Sequence, residues 1–439
     1  MRIRFMFCQG SRAKWPNLIL YGVFKNETKT PTGPNTVRRP MRLSQPLTPL
    51  ERRAITGLGG IFALRLFGLF LIMPVFAVYA ETLDGYDVAL AGLALGIYGL
   101  TQGLLQIPFG RLSDRFGRKP VIAVGLLIFV AGSVVAALST SLTGVMIGRA
   151  LQGAGAIAAA VIAMLADLTR DSQRTKAMAV VGITVGASFV LSLMFAPLLD
   201  GLIGVRGIFW LTALLAVFAI LVLFLWVPSS PAVPSPRLSG SIWQHIGVLL
   251  GNPSLWRLNL GIFFLHAALT SVFVVVPLAL MHHAGLPTPS HWQVYLPVML
   301  ASAAVMLPLV LAAERWRRTR EVFLAAVGLL VLSQILLAAG YQSFVVLAAA
   351  LFVFFVGFNV LEAQLPSLVS RAAPASAKGL AIGIYSTFEF IGAFAGGAIG
   401  GQLHARLGMT AVFVFSAALM VLWWLLMVFS ARRHFTPAI

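Results

Sequence analysis

Long unbroken apolar runs separated by short polar gaps fill most of this chain. The runs cover roughly 56–80, 88–109, 120–138, 143–166, 176–198, 207–227, 258–281, 291–312, 322–340, 343–366, 379–403 and 410–430. Each is long enough for a helix to cross a hydrocarbon core about 30 Å thick. A helix in lipid satisfies its own backbone, so the pattern predicts an all-α membrane protein of twelve transmembrane helices. Two stretches break the pattern. Residues 1–47 are polar, basic and rich in Pro and Thr. Their one apolar piece, Trp15–Phe24, is too short to span and is interrupted by Pro16, Asn17 and Gly22, so a disordered tail is expected. Met41 would open a plausible alternative start. Residues 228–257 form the second break. Pro228, Pro231, Pro234 and Pro236 predict a stiff linker. Ile242, Trp243, Ile246, Leu249 and Leu250 then recur at helical spacing, as in a helix lying on the membrane surface. The expected order is a tail (1–47), a six-helix bundle (48–227), the linker (228–257), a second bundle (258–433) and a short tail (434–439).

Composition narrows the class. The 439 residues are 59% hydrophobic and 10% charged, with a mean hydropathy of +0.92. No water-soluble domain hides that much apolar surface. The single cysteine, Cys8, excludes an intrachain disulfide and a Cys-based metal cluster. A net charge of +19 would suit nucleic acid, but the basic residues lie in short gaps between spans, which argues against such a partner. If both termini are cytoplasmic, 28 of the 32 Lys and Arg fall in tails and cytoplasmic gaps. Arg206 and Arg406 fall in exterior gaps, and Arg65 and Arg149 fall inside spans. That bias is the one the positive-inside rule predicts.

One gap stands out. Gly110-Arg111-Leu112-Ser113-Asp114-Arg115-Phe116-Gly117-Arg118-Lys119-Pro120 is a tight basic turn between spans 2 and 3. Pro108, Asp114, Arg115, Phe116 and Arg118 are echoed 200 residues later by Pro308, Glu314, Arg315, Trp316 and Arg318. A repeated hairpin within a repeated set of spans predicts a duplicated bundle, a common plan of secondary transporters.

The turn resembles motif A of the major facilitator superfamily, carried by Gly110, Leu112, Asp114, Arg115, Gly117, Arg118 and Lys119. Arg149, Gln152, Gly153 and Gly155 in span 4 resemble motif B of its drug:proton antiporter branch. Ala166-Asp167-Leu168-Thr169-Arg170 and the run from Leu361 to Arg371 resemble the YajR-like branch. The resemblance covers residues 48–433. It implies two pseudosymmetric bundles, alternating access driven by a proton gradient, and a central cavity lined by spans 1, 4, 7 and 10. It implies further that Asp114 faces the start of span 11 and that Arg118 pairs with Asp167, latching the outward-open state. The bland alternative is that these charges only set topology. Span 5 keeps the Gly-rich exporter motif loosely, as Gly182, Gly186 and Pro197, which weakens the case for strict export.

Other residues carry candidate chemistry, each with a structural alternative. Arg149 and Arg65 are charges at depth, which are rarely idle. Each could meet a substrate or a carboxylate, or simply brace its helix. Glu389, about ten residues into span 11, could carry a proton or be hydrogen-bonded between helices. Glu362 with Asn359 is placed near the inner end of span 10, as a proton-release group or a partner of Arg371. His266, mid-span 7, could titrate or pack. His282, His283 and His291 flank an exterior loop and would need to converge to hold a metal. Gly392, Gly396, Gly397, Gly400 and Gly401 suggest close helix packing, and Pro74, Pro197, Pro277 and Pro308 suggest kinks. Phosphate-binding and hydrolase signatures are missing, so direct ATP drive and an enzyme are not expected. No cofactor or metal is expected. The expectation is a monomeric inner-membrane transporter exporting a lipophilic or amphiphilic compound against protons. A sugar or metabolite carrier and a non-transporting receptor or scaffold are the alternatives.

Overall fold

The computed structural model describes residues 46–229, 242–374 and 377–429. Of the expected N-terminal tail (1–47) all but residues 46–47, of the expected linker (228–257) residues 230–241, and the whole expected C-terminal tail (434–439) lie outside the described residues. Every regular element among the described residues is helical. Residues 47–429 belong to one compact unit.

Span 1 is α1 (Pro49–Phe70) and α2 (Met73–Ala80), broken at Leu71–Ile72. Thr48 and Glu51 cap α1 reciprocally, the Ser/Thr-x-x-Glu arrangement that satisfies two first-turn N–H groups. Spans 2 and 3 are α3 (Val88–Phe116) and α4 (Arg118–Leu138). Gly117 joins them at φ +92, a conformation open to glycine and strained for other residues. Span 4 is α5 (Leu142–Ala154) and α6 (Ala158–Asp167), parted at Gly155.

Spans 5 and 6 form one 55-residue helical stretch, α7 (Asp171–Leu225), with Gly204 at φ +67 inside it. The chain reverses there. Ser188 and Ser192 in the first limb donate to Ala63 O and Phe67 O, so that limb runs parallel to α1. In the second limb, Thr212 lies beside Gly68 and Val227, just past the helix end, beside Gly57, so this limb runs back. Among the described residues, eleven apolar helices long enough to cross a membrane thus give twelve crossings.

After α8 (Ile242–Leu250) come α9 (Pro253–His282), α10 (Trp292–Arg315), α11 (Thr319–Gly340), α12 (Phe344–Ala372), α13 (Lys378–Leu407) and α14 (Met409–Val428), spans 7 to 12. Pro74 opens α2, and Pro197, Pro277 and Pro308 lie inside helices.

The duplication is visible in contacts. Lys119 Nζ donates to Val227 O at 2.6 Å, capping the end of span 6. Arg320 Nη2 donates to Val428 O at 2.9 Å, capping the end of span 12. Arg317 takes φ +54 where the first repeat has Gly117. The offset is 200 residues at that turn and 201 at the capping cation, so the second turn carries one extra residue.

The halves are joined by a seam between α3 and α13. A Cβ on Gly92 would sit 2.5 Å from Gly401 Cα, and one on Gly397 2.9 Å from Gly96 Cα. On its other side α13 presses on α9, where a Cβ on Gly392 or Gly396 would meet Phe263 or Ala267 backbone at 2.8 Å. The glycines of span 11 thus serve close packing on two faces. The seam runs from Ala89–Gly401 to Gly103–Thr387. Beyond Gly103, toward the motif A turn, Gly110 faces Ala159 of its own bundle, and Gly379 and Gly383 have nothing within 4 Å. The bundles touch at one end and part at the other.

Candidate functional site

Two charge clusters, one buried and one half-buried, face the level at which the bundles part. In the first bundle, Arg65 Nη2 donates to Gln102 Oε1 at 2.6 Å and to Gly155 O at 2.9 Å. Arg149 Nη1 donates to Gln152 Oε1 at 3.0 Å, and Gln152 Nε2 to Ser133 Oγ at 2.8 Å. Both guanidiniums lie against the Tyr98 ring, Arg65 at 6.0 Å and Arg149 at 5.0 Å from its centroid. Arg65 is 1% and Arg149 2% exposed, and neither has a carboxylate partner among the described residues. Arg65 Nε and Nη1 and Arg149 Nε are buried without a hydrogen-bond partner. Amide oxygens, the main-chain carbonyls of Gly155 and Leu95, and π faces hold these cations.

The second bundle holds the opposite charge. His266 on α9, Glu362 on α12 and Glu389 on α13 each offer one ligating atom, and these three atoms lie within 4.8 Å of one another. His266 Nε2 is 3.6 Å from Glu389 Oε1. The His266 ring also meets the Phe358 ring edge-on, 5.9 Å between centroids. Tyr385, one turn before Glu389, lies within electrostatic reach of both carboxylates. The expectation that Glu362 sits near the inner end of span 10 is corrected. The helix runs on to Ala372, about 15 Å beyond Glu362, so Glu362 meets Glu389 and His266 rather than Arg371. Asn359 instead donates from Nδ2 to Ser302 Oγ at 3.1 Å. The clusters approach each other where Tyr98 meets Phe390, ring centroids 6.3 Å apart.

The motif A residues are placed as a unit, with one correction. Arg118 Nη1 pairs with Asp114 at 2.5 Å, and its Nε with Asp167 at 3.0 Å. Arg118 also donates to Ser113 Oγ at 2.7 Å. Asp114 is not docked on the start of span 11. Its ion pair among the described residues is Arg118, four residues away on its own hairpin, and its side chain is 58% exposed. The cause is the parting of the bundles below Gly103 and Thr387. Arg115 stacks over Phe116, 5.3 Å from its ring centroid.

Two ion pairs were missed by sequence reasoning. Arg170 grips buried Glu51 through Nε and Nη2, both at 2.8 Å, tying the span 4–5 loop to the start of α1. The Thr48-x-x-Glu51 spacing flags the cap, but nothing in sequence points across 119 residues to Arg170. At the touching end, His282 Nε2 lies 3.0 Å from Glu81 Oε1, joining the two bundles. The three exterior histidines do not converge. His283 packs on the Tyr341 ring, and His291 Nε2 lies 3.0 Å from Leu286 O.

This fold of paired bundles with a basic hairpin is that of a secondary transporter. The family model of the Major Facilitator Superfamily matches residues 58–311 and 291–438, and the chain belongs to that superfamily. It is 45% identical over 377 residues to the inner membrane transport protein YajR of Escherichia coli K12, covering 86% of this chain and 83% of that protein. It is 28% identical over 343 residues to the multidrug resistance protein MdtH of Aeromonas hydrophila, covering 77% of this chain and 84% of that protein. Among solved structures, a bacterial homolog of the human lysosomal transporter Spinster aligns with a TM-score of 0.72 at 15% identity, over 87% of this chain and 97% of that one.

Proposed function

We propose that this chain is a proton-coupled secondary transporter that exports lipophilic or amphiphilic compounds across a bacterial inner membrane by alternating access. The observation that carries the reading is the placement of the His266–Glu362–Glu389 cluster at the level where joined bundles begin to part. A cation-accepting group at that level is reached from one side now and from the other after the bundles rock. With the basic turns on the cytoplasmic side, the parted end faces the cytoplasm. Glu389 is the proton carrier in this reading, with Glu362 and His266 sharing the proton. The Phe358 ring beside His266 packs in turn on Phe355 and Phe189, so the cluster is backed by an apolar aromatic core, a setting compatible with lipophilic cargo. The kinship to YajR and to MdtH, named for multidrug resistance, supports this reading.

The test uses purified protein in liposomes that enclose a pH-sensitive dye. Lipophilic cations, neutral drugs and sugars are added in turn under an imposed pH gradient. One compound class should trigger proton movement, and Glu389→Gln should abolish it. No response to any class from folded protein would overturn proton-coupled export.

A further inference from the structure

We propose that His266, Glu362 and Glu389 form a binding site for a first-row divalent cation such as Zn²⁺ or Co²⁺. The donor set is one imidazole nitrogen and two carboxylate oxygens, which suits these ions. The geometry favours an ion over a direct contact. Two ligands of a tetrahedral ion at 2.0–2.2 Å stand roughly 3.3–3.6 Å apart. His266 Nε2 and Glu389 Oε1 are 3.6 Å apart, beyond hydrogen-bond length and at the separation of two ligands on one ion. The third ligand atom lies within 4.8 Å of both, a gap that a side-chain rotation closes. Each ligand comes from a different helix, α9, α12 and α13, so the site is held by the bundle rather than by one flexible loop.

Charge points the same way. Two carboxylates this close repel strongly in a medium of low polarity. The described Lys and Arg residues of the second bundle lie at helix ends: Arg257, Arg315, Arg317, Arg318, Arg320, Arg371, Lys378 and Arg406. Glu362 Oε2 is buried without a hydrogen-bond partner. A divalent cation neutralises both carboxylates at once and gives that oxygen a partner. The His266 and Glu389 side chains remain 12% and 20% exposed, so the site is not fully sealed.

This site uses the residues of the proton-coupling reading but does not depend on transport, and the test separates the two. Protein without a polyhistidine tag is purified in detergent, stripped with chelator and titrated with Co²⁺ and Zn²⁺ at pH 7.5. One equivalent should bind tightly. Glu389→Gln, Glu362→Gln and His266→Gln should each weaken binding at least tenfold, whereas His282→Ala with His283→Ala should leave it unchanged. X-ray absorption of the zinc-loaded wild-type chain needs no variant. It should show one imidazole among oxygen and nitrogen ligands at about 2.0–2.2 Å. No stoichiometric binding, binding unaffected by the three substitutions, or two or more imidazoles per ion would overturn the site. Loss of the metal site with proton movement intact would leave the transport reading standing.

Discussion

Placing a guanidinium at bilayer depth costs about 2.5–3.5 kcal/mol on insertion scales, and this chain does so twice with no carboxylate partner among the described residues. Arg149 is held by Gln152, a long contact to Leu95 O at 3.5 Å and the face of Tyr98. A lysine carries the same charge but lacks the planar fork that hydrogen-bonds and stacks together. Arg149→Lys should therefore cut substrate-driven proton flux at least tenfold while leaving a monodisperse, folded protein. Flux within twofold of wild type would reduce Arg149 to a mere charge. Arg65 and Arg149 were legible in sequence as charges inside apolar runs. Their shared partner, Tyr98, was not, because an aromatic in an apolar run carries no mark of what lies against its face.

Helices here end on cations borrowed from their neighbours. Lys119 and Arg320 each reach the terminal carbonyls of a helix 108 residues further on. A cation beside those carbonyls is favoured by the helix dipole as well as by the hydrogen bond. Lys119→Met and Arg320→Met should thus be equivalent lesions. Each should cost about 1 kcal/mol or less after solvent screening, a fall of roughly 1–3 °C in melting temperature. Scanning calorimetry of the two variants checks the symmetry, and a large effect in only one repeat would break it. The echo between Asp114 and Glu314 exposed the duplication. The extra residue in the second turn was not visible, since only the backbone shows Arg317 in the conformation of Gly117.

Across the molecule, the glycine seam between α3 and α13 holds one end shut while the motif A end stands apart. Asp114, paired here with Arg118, can turn to the start of α13 when the bundles close at this end, where first-turn N–H groups favour a carboxylate. Asp114→Asn should leave the present state intact and weaken the opposite one. With Cys8→Ser as background, a cysteine at Gly383 faces open space here. It should react at least twofold faster with an impermeant maleimide from the motif A side in Asp114→Asn than with Asp114 present. Equal rates would sink the latch. The seam gives a second handle. Gly92→Leu would drive a side chain into Gly401, opening the closed end and lowering transport at least tenfold. Transport at the parental level would show that the seam yields.

The linear chain determined the class and the crossings by itself, because lipid leaves the backbone only helices and each needs about 20 apolar residues. Run length and basic gaps therefore carry the architecture with no reference to contacts, and motif A is legible because its residues lie within one turn. Which charges meet was decided by tertiary structure alone. His266, Glu362 and Glu389 are drawn from three helices far apart in sequence, and their depth depends on how far each helix extends beyond its apolar run, as the ten residues after Glu362 show. The separation of buried cations in one bundle from half-buried carboxylates in the other, with Tyr98 and Phe390 between, follows from side-chain direction after packing, which apolar periodicity does not encode.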